Sequence, residues 1–453
     1  MRRNVILVSV LVLILSITVG VQAADVSGEF TSELRVLTKE DKPLKDAMAS
    51  VGVSVDVEGD LGPDGSWRLA LDTSLDKALS SFRDDIWDAD DTDAAEDSIT
   101  IDLDEAYLNL YSVGDEAVDL RLGKQYVDVG VGDGITTFNL TKPVAANFID
   151  ELQNTRAVVG IRADWYPDDY QVTAFLQPRI TPNKTGKRIE AVYQEIEKAA
   201  LMPVLYAMSQ EGVQIVEMAP LKEEAPTYED DGMGFTIKGS RTFGDFDLGL
   251  VYQRGYAPSP IMSGFSLKPL AEEVPVPMRL TTTQGYLPLQ KVGVTAEGVL
   301  GDAGLWGELT YNIPKDGFFG KEMDNQAFPE EYRFNSDNYV TGLIGMDYFF
   351  ENGVYVNGQV IYGFPQEVTK SMLNTYLAGE VYQDFLNNRL RLEGKVVYCF
   401  GDQGWMIMPE AVYQVTSTMK AFGKVAIPGG DDESLFRQME DLTQALVGIS
   451  ISF

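Results

Sequence analysis

Ala445-Leu446-Val447-Gly448-Ile449-Ser450-Ile451-Ser452-Phe453 sorts its residues by parity. Ala445, Val447, Ile449, Ile451 and Phe453 fall on one side of an extended chain, and Leu446, Gly448, Ser450 and Ser452 fall on the other. A period of two belongs to a strand whose two faces meet different surroundings.

The same sorting recurs toward the N-terminus. Val26, Gly28, Phe30, Leu34 and Val36 oppose Ser27, Glu29, Thr31, Glu33 and Arg35. Val51, Val53, Val55 and Val57 oppose Ser54, Asp56 and Glu58, and Trp67, Leu69 and Leu71 oppose Arg68 and Asp72. Further segments follow near 98–111, 117–128, 155–166, 169–177, 233–243, 246–253, 291–300 and 304–313. The last group lies near 338–349, 353–363, 374–385, 389–400, 405–416, 418–427 and 442–453. The sum is about 18 strands of alternating polarity. At Asp104-Glu105 the phase slips, which predicts a bulge.

The joints sort by length. Gly62-Pro63-Asp64-Gly65, Val113-Gly114-Asp115, Pro167-Asp168-Asp169, Gly244-Asp245, Gly301-Asp302-Ala303-Gly304, Glu351-Asn352-Gly353 and Asn387-Asn388 are hairpin turns. Between them come long joints at 76–97, 129–154, 178–232, 254–290 and 314–337, although 401–404 is short. Short turns at one end and long loops at the other predict an all-β, antiparallel, up-and-down transmembrane barrel. Aromatic clusters near strand ends, such as Trp165-Tyr166 and Tyr348-Phe349-Phe350, fit interfacial girdles.

The beginning of the chain agrees. Arg2 and Arg3 precede an apolar run from Val5 to Val21 that closes on Val21-Gln22-Ala23, the pattern of an export signal peptide cut after Ala23. Residues 1–23 are therefore expected to be removed, leaving 24–453 as the barrel. Beyond this leader no stretch approaches the ~18 apolar residues that a spanning helix needs. A membrane protein without such helices closes its strands, because only closure satisfies every backbone amide in hydrocarbon.

The charge balance excludes some function classes. In 453 residues, 69 Asp and Glu outweigh 36 Lys and Arg, for a formal charge of −33. Loss of Arg2 and Arg3 with the leader makes the remainder more acidic still. Such a chain is unsuited to nucleic acid. His is absent and Cys399 is the sole cysteine, so the sequence offers neither His-based catalytic triads nor an intramolecular disulfide. No enzyme activity and no resident cofactor are expected. The expected surroundings are outer-membrane lipid, the barrel-assembly machinery, and small solutes or ions, with a homo-oligomer as a further possibility.

Loop 129–154 is the candidate filter. Arg121, Arg156 and Arg162 fall on polar faces of the flanking strands, and Asp133, Asp150 and Glu151 lie in the loop. If the loop folds inward, opposed charges across a narrow pore form a constriction that sorts solutes by size and charge. The alternative is that the Arg residues pair with wall carboxylates such as Asp164 and only brace the barrel. Glu29, Glu33, Asp56, Glu58, Asp72, Glu297, Glu308, Asp347 and Glu410 mix on the inner face with Arg35, Arg68, Lys238, Arg391, Lys395, Lys420 and Lys424, as in a hydrated wall.

Two other loops carry readings. Asp88, Asp90, Asp91 and Asp93 in loop 76–97 are candidates for a divalent cation. The run lacks the Gly and terminal Glu of an EF-hand, and a solvated external loop is the simpler account. Ile189, Val192, Ile196 and Ala199 recur at helical spacing, which predicts an amphipathic helix near 185–200 with Pro203 limiting it.

A last amphipathic strand ending in Phe453 resembles the assembly signal of outer-membrane barrels. The segment Leu120–Pro143 (LRLGKQYVDVGVGDGITTFNLTKP), the stretch Gly345-Met346-Asp347-Tyr348-Phe349 and this strand resemble porin-type barrels related to the alginate-export channel. The resemblance implies diffusion of ions, sugars or other small solutes through a single-chain pore. The acidity departs from an alginate-type conduit, whose lumen must be basic for a polyanion. Two rival readings stay open: a non-conducting barrel acting as adhesin or envelope anchor, and a soluble exported β-protein. A TonB-dependent transporter is disfavoured, since strands starting at Val26 leave no room for an N-terminal plug.

Overall fold

The computed structural model describes residues 24–38, 47–78, 98–114, 117–146, 154–186, 189–190, 202, 205–206, 209–210, 213–218, 222–224, 232–270, 276–320 and 333–453. Eighteen strands form the wall. The first nine are β1 (Ala24–Leu37), β2 (Met48–Asp60), β3 (Gly65–Ala78), β4 (Ser98–Leu110), β5 (Val118–Gln125), β6 (Val158–Trp165), β7 (Tyr170–Gln177), β8 (Gly234–Phe243) and β9 (Phe246–Pro269). The rest are β10 (Val276–Leu300), β11 (Ala303–Pro314), β12 (Tyr339–Phe349), β13 (Val354–Tyr362), β14 (Thr375–Phe385), β15 (Leu390–Cys399), β16 (Trp405–Gln414), β17 (Met419–Gly429) and β18 (Gln444–Ser452). Each pairs antiparallel with the next, and β18 pairs back onto β1 from Gln444↔Leu37 to Ser452↔Glu29. The sheet is a closed barrel, so no wall edge is left to pair with another chain.

Alternation explains the closure. On β12, Val340, Ile344 and Met346 are exposed while Tyr339, Thr341 and Leu343 are buried. Val447, Ile449 and Ile451 on β18, and Leu248 and Leu250 on β9, are exposed in the same way. An apolar belt around the whole circumference far exceeds the few hundred Å² that soluble proteins tolerate, and it suits contact with hydrocarbon. This argues against the soluble reading. Among the described residues no helix is long and apolar enough to cross a membrane.

Local irregularities fall where the sequence marks them. The β3–β4 register shifts between Ala70 and Leu71, whose partners are Glu105 and Leu103, so Asp104 is the bulged residue. At the seam, the backbone N–H of Phe453 donates to the Gly28 carbonyl at 2.9 Å, and that of Gly28 donates to the Phe453 carbonyl at 3.0 Å. The Phe453 ring covers Gly28 so closely that a Cβ there would sit 2.5 Å from it.

The structure corrects one reading and leaves most of a second outside the described residues. The stretch 254–290 is not a plain loop: β9 and β10 run on as one long hairpin, paired from Gly255↔Leu289 to Pro269↔Met278. Pro258, Pro260, Pro269, Pro277 and Pro288 obscure its alternation, and a register shift between Tyr256 and Pro260 absorbs the first two. Short strands Val213–Met218 and Lys222–Glu224 add to β10 in parallel. The expected helix near 185–200 does not begin at Thr185, since Lys184–Thr185 pairs with Ala145–Ala146. Ile189 and Glu190 are helical, and 191–200 lie outside the described residues. So do the leader 1–23 and residues 79–97, which include Asp88, Asp90, Asp91 and Asp93.

Candidate functional site: the barrel lumen

The chain leaves β5 at Gln125 and turns into the barrel. Val127, Val129 and Phe138 are fully buried against Val158 of β6, Phe175 of β7 and Val251 of β9. Farther along, Ile135 packs in one cluster with Leu343 of β12 and Ile361 of β13. The loop therefore lines the inside of β6–β13 and narrows the lumen from that side.

A single carboxylate holds it there. Glu308 projects inward from the middle of β11 and is 5% exposed. Its Oε1 accepts from the Val131 N–H at 2.6 Å, the Gly132 N–H at 3.0 Å and the Thr136 hydroxyl at 2.9 Å. Its Oε2 accepts from the Thr137 N–H and the Thr137 hydroxyl, each at 2.7 Å. The buried Lys291 ammonium on β10 donates to the Thr137 carbonyl at 2.7 Å. Hydrogen bonds to an ionised group are among the strong ones, and here they fix backbone donors that would otherwise be orphaned inside the barrel. Glycine is required beside this latch: a Cβ at Gly130 would fall 1.9 Å from the Thr136 hydroxyl and 2.4 Å from Glu308.

The loop tip reaches the next strands. The Asp133 carboxylate accepts from the Asn357 amide, and Gln359 donates to the Asp133 carbonyl at 2.7 Å. Asp133 thus meets the amides of β13, with no arginine among those partners. Arg162 pairs with Asp164 on its own strand at 2.7 Å, which is the bracing arrangement. Arg121 lies over the Tyr107 ring at 4.4 Å and donates to Asn109 at 2.8 Å. Arg156 donates to the Pro182 carbonyl at 2.6 Å and ties down the returning segment. The described part of the loop does not bring these three guanidinium groups against Asp133, and Asp150 and Glu151 lie outside the described residues.

A second inward segment has no sequence signal of its own. Between β17 and β18, residues 431–443 carry a four-residue helix, α1 (Leu435–Gln438), and fold back toward the wall. Phe436 and Met439 are buried with Val397, Cys399, Met406 and Ala426 on the inner faces of β15–β17. Asp402, in the short 401–404 joint, accepts from the backbone N–H groups of Gly404 and Leu435, each at 2.9 Å. Ser434 caps α1 from a fully buried position. The neighbouring loop 363–374 is gathered by Glu367, which accepts from Phe364, Asn374 and Tyr376. Burial pushes the Glu367 carboxyl above the usual range, while those hydrogen bonds pull it down.

The opposite wall differs. On β1–β4 the inward-facing side chains are mostly half-exposed, and Asp72 is exposed. Arg68 is gripped by Asp56 at 2.5 Å, Glu105 at 2.9 Å and Glu58 at 3.2 Å, and Lys124 reaches Asp102 at 3.4 Å. A polar cavity of about 430 Å³ opens between Asp128-Val129 and the inner faces of β6–β10, with Arg162, Lys238 and Glu297 in its lining. Among the described residues no group of His, Cys, Asp and Glu is arranged to hold a metal ion.

No protein-family model and no curated protein matches the chain. Solved structures do. OccAB1 of Acinetobacter baumannii aligns over 95% of this chain and 96% of its own, at 8% identity and a TM-score of 0.51. OccAB3 of the same organism aligns over 95% and 99%, at 10% identity and a TM-score of 0.51. A mutant of the Rh. blastica porin aligns over 95% and 100%, at 11% identity, with a lower TM-score of 0.39. At such identities the likeness concerns architecture. The fold is that of a porin-like β-barrel.

Proposed function

We propose that the protein is a channel of the bacterial outer membrane through which ions or small hydrophilic solutes diffuse passively, with loop 129–154 as its constriction. The observation that carries this reading is the inward loop, latched by Glu308 inside a closed barrel whose remaining inner surface is charged. A loop held by buried charge-assisted hydrogen bonds keeps a fixed aperture, and a charged wall stabilises water and polar solute. Export through the leader 1–23, later removed, belongs to the same reading.

Reconstitution of the full chain into planar bilayers tests it. Discrete conductance steps with a defined reversal potential in a salt gradient are expected. The apolar packing of Phe436 and Met439 against β15–β17 favours a second reading, a non-conducting barrel acting through its external hairpin. Bilayers that stay silent across salt conditions and voltages would decide for that one.

A further inference from the structure

We propose that solute crosses this barrel off its axis, along the inner face of β1–β4, and that segment 431–443 is a second constriction element closing the opposite side. The inference rests on the channel reading above and names the route and the charge it prefers.

The route follows from where water reaches the inner wall. Inward residues of β10–β17 are sealed along their course toward the long-loop end. Thr310, Ile361, Val397, Cys399 and Met406 are each 3% exposed or less. Two separate elements cover them: the loop behind Glu308 spreads over β6–β13, and Phe436 with Met439 covers β15–β17. Both are anchored by polar groups, the buried Glu308 for the first and the half-buried Asp402 with the buried Ser434 for the second. Nothing among the described residues covers β1–β4 in this way. There Glu33, Asp72, Asp76 and Asp102 outnumber Arg35 and Lys124 at the same half of the barrel. A water-filled lane with more carboxylates than ammonium or guanidinium groups admits small cations in preference to anions.

The protein supplies its own control, because its one cysteine, Cys399, faces the sealed side. Ser74, inward on β3 between Asp72 and Asp76, marks the open side. The test adds a cationic methanethiosulfonate reagent to reconstituted channels. A thiolate displaces methanesulfinate from it and becomes a mixed disulfide bearing a trimethylammonium group. The wild-type chain is expected to keep its conductance. Ser74→Cys is expected to lose conductance on the order of 2-fold or more, with the reversal potential moving toward anions. Phe436→Ala is expected to leave a conducting barrel in which Cys399 now reacts. Blockade of the wild type through Cys399, or a Ser74→Cys channel whose current ignores the reagent, would overturn the off-axis route alone. A wild type that passes no current overturns the channel reading beneath it.

Discussion

The two halves of the inner wall solve the problem of polar residues in a barrel differently. On β1–β4 most charges are left in water and pair with one another, as Arg68 does with Asp56 and Glu58, while it also reaches the buried Glu105. On β10–β13 Glu308 and Lys291 are fully enclosed and pair with the backbone of the loop. The difference lies in what each carboxylate does. An exposed ion pair contributes little to stability and sets the field that a solute meets. A buried carboxylate that satisfies several N–H groups fixes a structure, and leaving such donors unpaired is costly. One residue type therefore stays hydrated on one side and serves as a latch on the other.

Breaking the latch should have the largest effect. Glu308→Ala strands the Val131, Gly132 and Thr137 donors and the Lys291 charge, and should cost roughly 3–5 kcal/mol. The loop should loosen, raising single-channel conductance and its noise, while unheated and heated migration in SDS should converge at a lower temperature. An unchanged conductance would remove the loop from the constriction. Phe436→Ala comes next, at roughly 3 kcal/mol for an aromatic removed from packed surroundings. Its stability loss should again show as a lower temperature of heat-modified migration. Arg68→Ala acts on the hydrated side. Asp56 and Glu58 are partly solvated, but the buried Glu105 loses its guanidinium partner, so about 2 kcal/mol is expected in stability. Three carboxylates lose their counter-charge, and the reversal potential should move toward cations. The smallest effect separates two arginines: Arg121→Ala should shift ion selectivity, whereas Arg156→Ala should not, because that guanidinium serves the Pro182 carbonyl. Equal shifts from both would put Arg156 back in the lumen.

The wall was legible in the sequence because its signal is local. Parity along a strand needs no knowledge of the partner, and even the Asp104 bulge announces itself as a slip of phase. Loop sorting was legible for the same reason, through turn residues such as Asn387-Asn388, both with positive φ. The long β9–β10 hairpin is not legible because five prolines interrupt its alternation. The sequence carries the inward course of 129–146 only as a condition on the charges flanking it, and it carries nothing of the partners that hold it. Glu308 reads as one more lumenal charge until the backbone N–H groups it accepts from are brought to it, and backbone donors leave no trace in a sequence. Segment 431–443 was missed because a four-residue helix has no periodicity, and its burial depends on strands far away in the chain.

The seam between β1 and β18 bears on how the barrel is made. Thr38 and Thr443 meet there across 405 residues. Contacts of such separation form late, after the entropy of the whole intervening chain has been surrendered. Until the last strand arrives, β1 has an open edge, and β17 has another. Removing the nine residues of β18 would leave a seventeen-stranded ribbon with two live edges inside or beside a bilayer. Closure is therefore concentrated in a single joint: when the Phe453 ring lies over Gly28 and their backbones exchange hydrogen bonds, both edges vanish together.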